Sequence, residues 1–315
     1  MIETHGLRKE FRSGRGRRTV AVDGLDLEVA SGGVHGFLGP NGSGKTTTIR
    51  MLLGLARATS GEMALFGERV PERLPSVLGR IGAVVEQPRF VPGFSGRRNL
   101  QLLARTAGAD VRRVAAVVEQ VGLGGRDRDT FRTYSLGMKQ RLAIAATLLK
   151  QPDLLILDEP SNGLDPAGIR DIRELITGLS EAGVTVLLSS HLLAEVQQVC
   201  HSVTIIGNGR TVATGSVDSL LGEARSRTRV GVADPARAAS VLSRAGYNVT
   251  RDGDQVLVEG HEHPEEISRL LAGEQLFVHE LSAERPDLET VFLQLTDAPP
   301  PADPPSREPE PAGAR

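Results

Sequence analysis

The stretch Gly39-Pro40-Asn41-Gly42-Ser43-Gly44-Lys45-Thr46 constrains this chain more than any other part of it. It follows an apolar run, Val34 to Leu38, that reads as a buried strand. It opens a stretch, Thr46 to Leu55, that reads as a helix. Glycines at such a turn let backbone N–H groups point inward and approach phosphate oxygens closely. The helix N-terminus adds partial positive charge. Lys45 supplies a full charge to the β and γ phosphates of a nucleotide, and the Thr46 hydroxyl suits Mg²⁺. Thr47 belongs to the same turn. The alternative is an ordinary glycine-rich turn between strand and helix, and the placement argues against it.

A second constellation lies further along. Leu154 to Leu157 is an apolar run that ends in Asp158 and Glu159, the pattern of a central strand reaching the catalytic edge of a sheet. Adjacent carboxylates are costly to bury without a cation, and a Mg²⁺-nucleotide supplies one. Asp158 would hold the metal through water, and Glu159 would orient or deprotonate the attacking water. A solvated strand end with two acids is the competing reading; beside a phosphate loop it loses ground.

The organisation of the chain supports an α/β fold. Val34 to Leu38, Ile81 to Val85, Leu154 to Leu157, Val184 to Ser189 and Val203 to Ile206 read as buried strands. Thr46 to Leu55, Gln140 to Lys150 and Ala167 to Ala182 read as helices between them, so a parallel sheet with covered faces is expected over residues 1–220. A mostly helical segment, about 89–150, interrupts the alternation. Residues 222–296 show the order βαββαβ, which suggests a small ferredoxin-like α+β unit. Its strands are read at Thr228 to Val232, Tyr247 to Arg251, Gln255 to Glu259 and Leu276 to Leu281, with a hairpin at Asp252-Gly253. Residues 298–315 are dominated by Pro, Ala, Glu and Arg and are expected to be disordered.

Composition narrows the classes. With 315 residues, 39% of them hydrophobic, the chain can bury one large core and one small one. A net charge of -2 gives no sign of a nucleic-acid binder. Cys200 is the sole cysteine, which excludes an intrachain disulfide and fits a reducing compartment. Met1 to Phe11 carries Glu3 and Glu10 and lacks an apolar core, so it does not read as a signal peptide. No apolar run approaches the roughly 20 residues needed to cross a bilayer, so no direct membrane span is expected.

A phosphate loop with an acidic strand end defines only a P-loop NTPase. Tyr134-Ser135-Leu136-Gly137-Met138-Lys139-Gln140-Arg141 goes further: it resembles the signature motif of ABC transporter ATPases, usually L-S-G-G-Q. Ser135 and Gly137 match; Tyr134, Leu136 and Met138 depart from the usual Leu, Gly and Gln. This form is similar to signatures of bacterial antibiotic and peptide exporters of the bacitracin and lantibiotic type. Read physically, Ser135 and Gly137 cap a helix beginning near Met138, whose N-terminus is an anion site. In isolation, a simple serine-capped helix explains the octapeptide as well.

The resemblance implies further roles. Gln87 resembles the Q-loop glutamine that meets Mg²⁺ or water, and the helical segment after it resembles the part that docks on a membrane subunit. Asp165, in Ser161 to Asp165, resembles the D-loop residue that crosses to a partner subunit. His191 resembles the switch histidine that contacts the γ-phosphate, although a lone histidine at a strand end is more often structural. Phe11 sits where an aromatic stacks on adenine; a buried core Phe is the alternative. Asp287 to Leu293 resembles a common ending of exporter ATPases. Arg15, Arg17 and Arg18 read as a solvated turn rather than a lipid or phosphate contact.

The expectation is therefore an ATP- and Mg²⁺-dependent ATPase subunit with a RecA-like core, on the cytoplasmic face of the cell membrane. It would pair with itself or a relative, as homodimer or heterodimer, and with an integral membrane permease. The rivals are a soluble ABC ATPase outside transport and a nucleotide-dependent regulatory module.

Overall fold

Alternating apolar and polar residues set the first two strands. In the computed structural model, which describes residues 1–12, 18–85, 89–223, 227–259, 264–284 and 287–297, β1 (Ile2–Arg12) pairs antiparallel with β2 (Arg18–Val29). Ile2, Leu7, Val22, Leu25, Leu27 and Val29 turn inward. β3 (Val34–Leu38) is buried along its whole length and leads through the glycine-rich loop into α1 (Lys45–Leu52). β4 (Ser60–Leu65) and β5 (Glu68–Arg69) complete an antiparallel sheet of order β2-β1-β4-β5. After α2 (Leu74–Val77) comes β6 (Ile81–Val84). Helices α3 (Gly96–Thr106), α4 (Arg113–Gln120) and α5 (Leu136–Leu148) then interrupt the alternation. It resumes with β7 (Leu154–Asp158), α6 (Pro166–Glu181), β8 (Thr185–Ser190), α7 (Leu193–Val199), β9 (Ser202–Gly207), β10 (Arg210–Ser216) and α8 (Val217–Glu223).

The second sheet has the order β10-β9-β3-β8-β7-β6. Its first five strands in the chain are parallel, and β10 pairs antiparallel at one edge. Strand periodicity divides its side chains between two cores. Leu154 and Ile156 face a core shared with α1 and the antiparallel sheet. Leu155 and Leu157 face a second core built with α3 to α7. Each such fully buried aliphatic side chain is worth about 1.5–3 kcal/mol. The register sets Leu38 beside Ser190 and Asp158 beside Ser189. The carboxyl ends of β3, β7 and β8 therefore form one edge, where open α/β sheets bind ligands.

Residues after 226 build a separate antiparallel sheet. β11 (Arg227–Val232), α9 (Pro235–Arg244), β12 (Asn248–Asp252), β13 (Gln255–Glu259), α10 (Pro264–Gly273) and β14 (Val278–Glu284) follow the ferredoxin-like order. The strands lie as β12-β13-β11-β14. Val230, Val232, Leu242, Val256, Val258, Ile267 and Leu271 fill their own core. Gly253, at φ +57°, makes the two-residue turn between β12 and β13. The closing helix α11 (Leu288–Asp297) behaves differently. Leu288 is buried in the α3-to-α7 core, and its N–H donates to Gln197 Oε1 on α7 at 3.1 Å.

Several boundaries differ from expectation. The helix read at Gln140 to Lys150 begins at Leu136, because Ser135 caps it one turn earlier. The strand read at Leu276 to Leu281 begins at Val278 and runs on to Glu284, because pairing with β11 extends to Arg227 beside Glu284. Arg18 opens β2 and lies 3.6 Å from Glu10, rather than in a loop. Arg15, Arg17 and the tail at 298–315 lie outside the described residues. Among the described residues, no helix is long and apolar enough to cross a membrane.

Candidate active site

The loop between β3 and α1 owes its shape to its glycines. Gly42 and Gly44 adopt φ +83° and +109°, a region that L side chains rarely enter. A Cβ on Gly39 would lie 2.4 Å from the Ile206 carbonyl, and one on Gly44 would lie 2.6 Å from that of Ala21. Pro40 and Asn41 are exposed, and Thr46 and Thr47 are half-buried on the first turn of α1. That helix has no side-chain cap among the described residues, so its N-terminal N–H groups can meet an anion. The Ser43 hydroxyl is buried without a hydrogen-bond partner among the described residues. Lys45, only 6% exposed, donates to the Gly39 carbonyl at 2.6 Å. A buried ammonium, an orphaned hydroxyl and an uncapped helix start fit a phosphate chain.

Glu159 meets this loop from β7. Its Oε1 lies 3.3 Å from Lys45 Nζ, and its Oε2 lies 2.6 Å from His191 Nδ1. The residue sits at φ +50°, uncommon for a side chain with a Cβ. Its N–H is held by the Ser189 hydroxyl at 3.0 Å and the Ser189 carbonyl at 3.1 Å. The same hydroxyl donates to Asp158 Oδ1. Lys45, Asp158, Glu159 and His191, distant in sequence, thus converge on one sheet edge. Such a set can hold a phosphate chain and its counter-ion and present a base to water.

The signature and the D-loop form a separate corner. Ser135 accepts from the Met138 N–H at 3.2 Å and caps α5. Asp165 accepts from the Gly168 N–H at 3.0 Å and caps α6. The two motifs touch: the Leu136 side chain lies 3.2 Å from where a Gly163 Cβ would be, and Leu164 lies 3.9 Å from that of Gly137. Ser135, Leu136 and Asp165 are exposed. Among the described residues, no hydrogen bond or ion pair joins Ser135, Gly137 or Asp165 to the phosphate loop, Asp158, Glu159 or His191 of the same chain. Phe11 is not a core residue: it is 46% exposed, with Lys9 Nζ 4.9 Å from its ring centre. Gln87 lies outside the described residues.

Two contributions escaped the sequence. Ser189 read only as the end of an apolar strand; its role follows from the β7–β8 register. The turn at Gly209 donates its N–H to the Ser43 carbonyl at 3.0 Å, and its own carbonyl accepts from the Asp23 N–H at 2.8 Å. Arg210, with Arg8, pairs with Asp23 and holds its carboxyl below the usual carboxylate range. Nothing local in the sequence marks that brace. On β3, His35 bonds to Ser202 and Thr204 of the neighbouring β9, and burial lowers its pKa to about 4.

Fold and site together define a P-loop nucleotide-binding ATPase. The profile described as ABC transporter matches residues 22–162, and one for a domain of unknown function matches 226–289. An uncharacterised ABC transporter ATP-binding protein, YhcH of Bacillus subtilis, is 38% identical over 94% of this chain and 96% of its own. The bacitracin transport ATP-binding protein BcrA of Enterococcus faecalis is 37% identical over the same shares, 94% and 96%. A solved ATP-binding subunit of an ABC transporter superposes with TM-score 0.61 at 27% identity, covering 71% of this chain and 92% of that one. This chain belongs to the family of ABC transporter ATP-binding proteins.

Proposed function

We propose that the chain is the ATP-hydrolysing subunit of an exporter of an antibiotic, peptide or other amphiphilic compound. The observation that carries the catalytic part is the convergence of Lys45, Asp158, Glu159 and His191 on the glycine-rich loop. In this reading Gly39 to Thr47 cradle the phosphates, and Phe11 stacks on adenine. Glu159 accepts a proton from the attacking water or orients it, and His191 steadies Glu159 and the γ-phosphate. Mg²⁺, held by Thr46, Gln87 and, through water, Asp158, would neutralise charge on the transferred phosphoryl group.

Ser135, Gly137 and Asp165 stand apart from this cluster, with Ser135 and Asp165 exposed and Gly137 half-buried, which supports a site completed by a second subunit. ATP then joins two chains, homologous or identical, and its hydrolysis releases them. A cavity of about 600 Å³ lies between β6, α3 and α5, lined by Val85, Phe90 and Leu103. Val91 and Leu102, each next in sequence to a lining residue, are exposed apolar side chains. This groove suits an integral membrane permease, which would hold the chain at the cytoplasmic face of the membrane. We divide the chain into an ATPase domain at 1–220, with a helical part at 89–150, and an accessory unit at 222–296 whose helix α11 docks back on α7. The bacitracin relative supports the exporter class.

The test is purification of the tagged chain from gently solubilised native membranes. A stoichiometric polytopic protein with ATPase activity that Lys45→Ala abolishes is expected. A chain that stays soluble and co-purifies with no membrane protein would overturn the transport reading.

A further inference from the structure

Two adjacent serines close β8, and they serve different ends. Ser190 accepts the Leu192 N–H at 3.0 Å and shapes the turn after His191. Ser189 points to the neighbouring strand, wholly buried, beside Asp158 in the β7–β8 register. A serine hydroxyl has one proton and two lone pairs. The Glu159 N–H can only donate, so it takes a lone pair at 3.0 Å. The proton goes to Asp158 Oδ1 at 2.5 Å. One hydroxyl therefore holds the carboxylate of one acid and the backbone of the next.

That backbone is the unusual part. Glu159 sits at φ +50°, where a residue with a Cβ is held only by its surroundings. Its N–H is bound twice by Ser189, through hydroxyl and carbonyl. Its carboxylate is bound by Lys45 and His191. Along a regular strand, Asp158 and Glu159 would point to opposite faces. The left-handed step re-aims Glu159 toward the glycine-rich loop, while Asp158 stays tied to β8.

We infer that Ser189 is a positioning residue for ATP hydrolysis, setting the divergence of the Asp158 and Glu159 carboxylates with a single hydroxyl. The inference rests on the roles proposed above for those two acids. Without the hydroxyl, Asp158 loses its fixed rotamer and the Glu159 N–H keeps only one partner. The phosphate loop, which Ser189 does not touch by any hydrogen bond among the described residues, keeps its shape. Turnover should suffer more than ATP capture.

The experiment compares Ser189→Ala with the parent in phosphate release, in calorimetric ATP binding with magnesium or with EDTA, and in urea unfolding. The expected result is kcat lower by about tenfold or more, with KM for ATP changed less than about threefold. Binding in EDTA should stay at the parent level, while the gain in affinity from magnesium shrinks. In urea, Ser189→Ala and Asp158→Asn should be less than additive, because they break the same bond. Turnover within about twofold of the parent would overturn the inference, as would full additivity in urea. A KM that rises as far as kcat falls would show general damage to the site and equally sink it. Glu159→Gln, assayed alongside, separates the two levels. If it retains turnover, the reading of the acids fails; if it is inactive while Ser189→Ala is not, only this inference fails.

Discussion

Replacing Glu159 by Gln should expose the electrostatics of the site before any nucleotide is added. The carboxylate is 19% exposed and lies 3.3 Å from Lys45 Nζ, which is 6% exposed. At that distance, with an effective dielectric of about 20, two unit charges attract by about 5 kcal/mol. Much of that is offset by the cost of desolvating both groups. Gln keeps the size and one acceptor, so the Lys45 ammonium retains a hydrogen bond but loses its counter-charge. A net loss of about 1–3 kcal/mol is the expected size for a hydrogen-bonded charge left without its partner. The His191 contact at 2.6 Å changes from carboxylate to amide and adds to the loss. Urea unfolding without nucleotide measures this as a lowered midpoint at constant slope. Adding ATP should restore more stability to the variant than to the parent, since phosphate then supplies the missing negative charge. Phosphate release should fall by about 10²–10⁴, the share of a positioned base. An unmoved urea midpoint would show that the charge on Glu159 does not hold the site, and hydrolysis within about tenfold of the parent would show that it does not serve the attacking water.

Two further substitutions probe the frame around the site. Gly44→Ala should weaken ATP binding strongly and lower the melting temperature, since its Cβ would lie 2.6 Å from the Ala21 carbonyl at φ +109°. Unchanged calorimetric affinity would contradict this account of the loop. His35, buried on β3, has its pKa lowered from 6.5 to about 4 by desolvation. The unfolded chain therefore binds a proton between those values that the folded chain does not. Stability is fully present above about pH 6.5 and declines as pH falls toward 4, by about 3 kcal/mol in total. Urea unfolding at pH 7 and pH 5 should show the decline, and His35→Asn should flatten it; an equally steep decline in that variant would point to another group.

What could be read from the chain was local. The glycine-rich loop declares itself because only glycine enters φ +83° and +109° there, and because Lys45 and Thr46 follow at a fixed spacing. The buried parallel strands declare themselves as continuous apolar runs, because both of their faces are covered. The ferredoxin-like order was legible from alternating short elements and the turn at Gly253. His191 and Asp165 were legible only through resemblance, since one histidine or one aspartate has no local signature.

Tertiary structure decided everything that depends on which strands become neighbours. The sequence does not say that β8 lies beside β7 with Ser189 opposite Asp158, so it does not reveal that one hydroxyl serves both acids. Nor does it say that the Gly209 turn braces Ser43, or that Leu288 leaves the C-terminal core to pack with α7. Phe11, equally readable as core or surface, became surface because the β1–β2 ribbon extends beyond the core at that end. The physical reason is the same in each case. Backbone conformation and burial period are set within a few residues, whereas hydrogen-bond partners across strands are set by register, and register belongs to the packed sheet.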